Sequence, residues 1–169
     1  MGLIRIYYIL MKYLNMSEER IVEIVKDIWL WNLQRDCVFN DNKLDNKLII
    51  EEIDEYGKAL KLYNEKKRDS AAVEVLDGLA DIIFVIIGIK LRAIFYYKQG
   101  NREEVGEKIL NTSLSLCPKE LLSYVDPVLT AVIRSNNTKP KEKDVNGKII
   151  KGENYIAPTE EIKLLLNIK

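Results

Sequence analysis

Five carboxylates carry the chemistry that this chain could do. Glu51, Glu52 and Glu55 fall within Glu51-Glu52-Ile53-Asp54-Glu55, and Asp77 and Asp81 within Asp77-Gly78-Leu79-Ala80-Asp81. Residues three and four apart share a helix face, so Glu52 points with Glu55, Glu51 with Glu55, and Asp77 with Asp81. Their neighbours on those faces are Leu48 and Ala59 in the first segment and Phe84, Val85 and Gly88 in the second. The acids thus stand in line with apolar residues, and an inward carboxylate stripped of water is too costly to leave unpaired. A cluster of this kind calls for cations, and the hard, oxygen-seeking one is Mg²⁺, for which Mn²⁺ can substitute. The plainer alternative is an exposed helix edge on which the acids pair with Lys47, Lys58 or Lys61. The second acidic pair leads straight into an apolar run, and that weighs toward the inward reading.

Composition narrows the chemistry further. The chain has 169 residues, 26 basic and 26 acidic, and no histidine. Zero net charge gives no sign of a general nucleic-acid or membrane-surface binder. Without histidine there is no His-activated nucleophile, no His general base and no His metal ligand, and a di-iron carboxylate bundle loses its ExxH pairs. The eight glycines form neither GxGxxG nor GxxxxGK[ST], so phosphates would have to be handled by metal ions and Lys or Arg. Cys37 and Cys117 have no metal-ligand spacing and read as reduced thiols of a cytoplasmic protein.

The elements that must position the acids follow from periodicity. Met1–Leu14 is apolar, too short to span a bilayer and without a signal-peptide cleavage site, so it reads as an extra helix or strand-like segment, with residues 1–16 an N-terminal extension. Ser17 caps a helix to about Arg35, with Ile21, Ile24, Val25, Ile28 and Trp29 on one face, and Asp36–Asp45 reads as a loop. The two tryptophans, Trp29 and Trp31, point in different directions and read as packing residues. The EExxE helix spans roughly Leu44–Lys67, and its charged end, Glu65–Asp69, reads as a solvated connection. Ser70 caps the next helix, Ala71 to about Lys98, whose centre Leu79–Ile89 is apolar nearly all round. Such a helix must be covered on most sides, in a bundle centre or at a subunit interface. Gly100-Asn101 breaks the chain before an amphipathic helix Arg102–Leu116. Pro118 opens another helix, which Asp126-Pro127 interrupts before Val128–Arg134. Residues 135–158 are polar and lysine-rich, ahead of a last amphipathic turn Thr159–Leu166. The expectation is one all-α domain over residues 1–169, a bundle of about four core helices with an irregular C-terminal tail, forming a homodimer or higher homo-oligomer and associating with neither membrane nor nucleic acid.

EExxE on one helix, an acidic pair ending in Asp81 on the next and the run DGLADIIFVIIG together resemble the all-α nucleoside triphosphate pyrophosphohydrolases. This MazG-like superfamily also holds the dimeric dUTPases and the phosphoribosyl-ATP pyrophosphohydrolases. The tail sharpens the resemblance: IRSNNTK followed by NGKIIKGENYIAP is similar to a phage and bacterial branch reading roughly RSNxxK…GKxxKxxNYxxP. The two blocks cover about residues 40–98 and 128–162.

The resemblance implies a Mg²⁺-dependent enzyme that hydrolyses a (deoxy)nucleoside triphosphate to the monophosphate and pyrophosphate, cleansing the nucleotide pool. Glu52, Glu55 and Asp81 would be metal ligands, and Glu51 either a ligand or the base that orients water. The second motif of the family is usually ExxD, which would place Glu at 78, where this chain has Gly78. Asp77 or, three residues further back, Glu74 would supply the fourth carboxylate. In the tail, Asn136, Lys139, Lys148, Lys151 and Tyr155 match the signature and would contact phosphates or sugar, with residues 135–169 covering the substrate; otherwise they form a solvated basic tail. Two rivals stand beside this reading: a catalytically inactive helical interaction module, and the same chemistry on phosphoribosyl-ATP.

Overall fold

A computed structural model describes residues 2–65, 68–95 and 101–168. Among the described residues seven α-helices follow in order: α1 Gly2–Leu14, α2 Glu18–Gln34, α3 Asn42–Asn64, α4 Arg68–Phe95, α5 Asn101–Leu116, α6 Val125–Asn137 and α7 Thr159–Leu165. The all-α expectation holds, and among the described residues the only β pairing is a single bridge between Lys143 and Ile149. The apolar segment Gly2–Leu14 is a helix, closed by Asn15 in the left-handed conformation. Ser17 caps α2 as expected, its hydroxyl accepting from the Arg20 N–H.

Three local expectations change. The stretch read as a loop before α3 contains a 3₁₀ turn, Cys37–Phe39, and α3 starts two residues earlier than expected because the Asp41 carboxylate accepts from the Leu44 N–H. Ser70 lies inside α4, which already begins at Arg68, and so does not cap it. Asp126-Pro127 does not interrupt a helix: residues after Pro118 form a 3₁₀ turn, Lys119–Tyr124, and Pro127 stands in the first turn of α6. There its missing N–H costs nothing, because first-turn donors have no intrahelical acceptor. The expected ends of the α3 and α4 helices at Lys67 and Lys98, the Gly100 break and two residues of the charged connection, Lys66 and Lys67, lie outside the described residues.

The core is organised around α4, against which α1, α2, α3, α5, α6 and α7 all pack. Leu79, Ile82, Ile83 and Ile87 on α4 are completely buried within a single chain. The apolar run therefore finds its cover inside one subunit, and the oligomer expectation, which rested on that helix lacking cover, loses this support. No described helix is long and apolar enough to cross a membrane. Antiparallel α3 and α4 make the most extensive helix pair. They approach closely at one crossing: a Cβ at Gly78 would lie 3.2 Å from the Tyr56 Cα. A side chain at 78 would require the α3 backbone to give by a few tenths of an ångström.

Candidate active-site cleft

Because α3 and α4 run antiparallel, Glu52 comes beside Asp81, while Asp45, nearer the start of α3, meets Arg92 near the end of α4. A cleft between them is lined at one end by Glu52, Asp81, Asn136, Lys139 and Lys148, and along its length by Leu48, Phe84, Val85 and Gly88. The apolar residues expected to share a face with the acids do so, except Ala59, which is buried elsewhere in the core.

The acids are not equivalent. Glu52, Asp77 and Asp81 are partly buried, whereas Glu55 and Glu74 are exposed. Burial, then the charge of Glu55, pushes the Glu52 carboxyl up to about 7, against the opposing pull of Lys148 and Lys139. Burial and then Glu52 raise Asp81 to about 7, and burial, Asp81 and Glu74 do the same for Asp77. One Asp77 oxygen is buried with no hydrogen-bond partner, an arrangement that a native fold leaves only where something else satisfies the group. Lysines do not neutralise the cluster along the helix edge: Lys58 pairs with the exposed Asp54 at 2.5 Å instead. Donor chemistry and the orphaned oxygen fit a hard divalent cation. Among the described residues, however, no three of the acids converge closely enough to form a metal cage.

The tail is folded over the acidic end. Its segment 143–149 is a tight turn in which the Asp144 carboxylate accepts from the Asn146 and Lys148 N–H groups, and Gly147, at φ +84°, supplies the left-handed corner. This places Lys148 Nζ 2.5 Å from Glu51 Oε2. Burial opposes the charge on Lys148, but the hydrogen bond it donates to Glu51 and the charges of Glu51, Glu52 and Glu55 win, so its pKa is raised. Lys139 is partly buried, and loss of water lowers its pKa against the pull of Asp81. Tyr155 and Lys151 do not line the cleft. The Tyr155 ring instead gathers Lys139 and Lys151, whose Nζ atoms stand 5.6 and 5.1 Å from its centroid, and the Ser135 hydroxyl lies 3.3 Å from the Tyr155 hydroxyl.

Several residues at the site carried no functional reading in the sequence. Trp31 is a packing residue as expected, edge-on to Phe84, yet its Nε1–H also donates to the Asn136 carbonyl at 2.8 Å. Arg35, buried against the Trp31 ring, donates to the carbonyls of Asn137 and Lys139. Together they clamp the start of the tail and so position Asn136 and Lys139. Nothing in the sequence marks Arg35 for this role, because its partners lie about a hundred residues away. Asn32 and Arg92 had a readable signal: Asn32 continues the buried register Ile21, Ile24, Ile28, and Arg92 falls on the buried side of the apolar α4. The two thiols are buried and free.

Neither the family models, nor curated proteins, nor solved structures offer a match to this chain.

Clustered acids of this kind have a thermodynamic signature. A carboxyl held at about 7 in the folded chain, but near 4 when unfolded, binds its proton more tightly in the native state. Its contribution to stability is fully present below the unfolded value and is lost as pH rises through the folded one. Without divalent cations the melting temperature should therefore fall between pH 5.5 and pH 8, on the order of 5 °C for a chain this size. Millimolar Mg²⁺ or Mn²⁺ at pH 8 should restore it by mass action. Melting scans with and without chelator check this, and a curve independent of both pH and metal would count against the cluster.

Proposed function

We propose that the chain is a divalent-cation-dependent nucleoside triphosphate pyrophosphohydrolase of the MazG-like kind, with Mg²⁺ as its natural ion. The observation that carries the proposal is the gathering of partly buried carboxylates, Glu52 and Asp81 with Asp77 one turn away, in one cleft with cations supplied by the folded tail, Lys139 and Lys148. A bound divalent ion would supply positive charge to neutralise the triphosphate. Glu52 and Asp81, which line the cleft, would hold it, and Asp77, one turn before Asp81, would join them only after rearrangement. Exposed Glu55 would join from the same face, and Glu51 would complete the set once Lys148 turns to a phosphate. Glu74, exposed and one turn before Asp77, would act on the cluster through its charge.

Lys139 and Lys148 would contact the phosphates, with Asn136 beside them, while Tyr155 holds Lys151 close to the same end. These lysines favour departure of pyrophosphate, because negative charge grows on the leaving group as its bond breaks. Glu51 or Glu52 would take the proton of the attacking water. Water attacks the α-phosphorus, the bond from that phosphorus to the α,β-bridging oxygen breaks, and the products are the monophosphate and pyrophosphate. Free space in the cleft is only about 90 Å³, roughly three waters, so the tail must move outward to admit a nucleotide and can then exclude bulk water.

One observation favours the rival reading of an inactive helical module: among the described residues, no three acids converge on a single point. Hydrolysis in ¹⁸O-water, followed by phosphorus NMR, decides between them. The expected result is label in the monophosphate alone. Diphosphate with labelled orthophosphate would refute attack at the α-phosphorus, and no turnover of any triphosphate would favour the inert module.

A further inference from the structure

The cleft continues beyond the acids to a second polar end, formed by Asn32, Asn40, Gly88 and Arg92. From Asp81 to Gly88 is seven residues of α4, about 10 Å at the helical rise, and Arg92 lies one turn further. Phe84, Val85 and Leu48 form the apolar walls between the two ends. A nucleotide with its phosphates among Glu52, Asp81, Lys139 and Lys148 must project its base along these walls toward Asn32 and Arg92. This step rests on the pyrophosphohydrolase reading above.

The far end is rigid, and the hydrogen bonds that fix it also fix its polarity. Arg92 donates through Nη1 to Asn32 Oδ1 at 2.6 Å and through Nε and Nη2 to the Asp45 carboxylate. Asn32 Nδ2 donates to the Ile28 carbonyl at 2.8 Å. The amide therefore cannot flip: its oxygen is taken by a guanidinium that has no acceptor, and reversal would set two donors face to face and leave two oxygens opposed. Both groups sit directly over the Gly88 Cα, where a Cβ would approach Arg92 Nη1 to 3.2 Å and Asn32 Nδ2 to 3.3 Å. Asn32 and Arg92 are almost wholly buried, and above Gly88 their N–H groups come nearest, while the Asn32 oxygen, already held by Arg92, stands back at 3.6 Å from the Cβ position. A ligand group arriving there must be an acceptor. Asn40 is only partly buried and its amide is held by no such partner, so it imposes no opposing preference.

We infer that the far end of this cleft selects nucleobases carrying a carbonyl oxygen on the edge they present, through the fixed N–H of Asn32. An exocyclic amine at that position would oppose donor to donor in a buried place. A buried donor left unpaired in this way lowers affinity by about tenfold or more.

Two pairs of bases exchange this carbonyl for an amine, together with the proton on the adjacent ring nitrogen: uracil against cytosine, and hypoxanthine against adenine. The test is titration calorimetry in Mg²⁺ with the α,β-methylene triphosphates of all four. The expected result is at least tenfold tighter binding of UTP over CTP and of ITP over ATP analogues. Asn32→Asp, which keeps an acceptor for Arg92 but replaces the spare N–H by an oxygen, should erase or invert both ratios with helical content unchanged. Equal binding of all four by the unaltered protein would overturn the selection while leaving the pyrophosphohydrolase reading intact. Failure of all four to bind would overturn that reading, and the inference with it. Because the primary comparison uses the unaltered chain, misfolding of the variant cannot rescue the idea.

Discussion

Glu52→Gln and Asp81→Asn are expected to abolish pyrophosphate release, by about a thousandfold or more, and at the same time to raise the melting temperature of the metal-free protein. The loss follows from the proposed role: each substitution removes a negative oxygen from the set that would hold the ion, and metal-borne charge stabilisation is worth several kcal/mol in a transition state. The gain follows from what these groups do when no ion is present. Both are partly withdrawn from water, the charge of Glu52 raises the proton affinity of Asp81, and Glu55 and Asp77 raise that of Glu52. A neutral amide of the same shape removes the repulsion and the cost of a desolvated charge together. A residue serving only the fold would lower stability on substitution, so the opposite signs separate the two roles. Circular dichroism melts in chelator, beside a pyrophosphate-release assay, give both readouts. A fall in metal-free melting temperature for both variants would sink the argument. Asp77→Asn should behave differently, with a smaller loss of activity, since Asp77 does not line the cleft.

Much of this geometry was legible because it depends on spacing along one helix. The period-3.6 pattern put Leu48, Glu52, Phe84 and Asp81 on inward faces, and the structure opens those faces onto one cleft. Caps were less readable. Asp41 and Ser70 are equally good N-cap types, and only packing decides that Asp41 starts a helix while Ser70 lies inside one. Asp126-Pro127 misled because proline breaks a helix interior yet suits its first turn. What the sequence could not show is long-range placement. Lys148 reaches Glu51 across 97 residues, and Arg35 reaches the Lys139 carbonyl across 104. No periodicity encodes those contacts; they arise from where α6 leaves the tail and from the Asp144–Lys148 turn that aims it. The expectation of a partner subunit failed in its premise for a related reason. Covering α4 takes side chains from six other helices, and counting apolar residues on α4 alone cannot reveal that the chain already provides them.

The second large effect concerns the ion pair that fixes the far end of the cleft. Asp45 and Arg92 are about nineteen-twentieths buried, with Arg92 Nη2 2.5 Å from Asp45 Oδ1. Removing one member leaves the other charged, out of water and short of its main partner, which typically costs about 3–5 kcal/mol. For a chain of this length Arg92→Met should lower the melting temperature by about 10 °C, and Asp45→Met by a similar amount. The pair itself contributes far less, because its Coulomb attraction largely offsets the desolvation of two charges. The double variant, with two apolar side chains in contact, should therefore melt above either single one, a coupling that a double-mutant cycle measures directly. Additive losses would show that the two side chains stabilise the chain independently. In the double variant Asn32 loses the guanidinium that orients its amide. The recovered stability should then come without any recovery of discrimination between UTP and CTP: the buried charges at this end serve selection, at a cost to the fold that apolar residues would not incur.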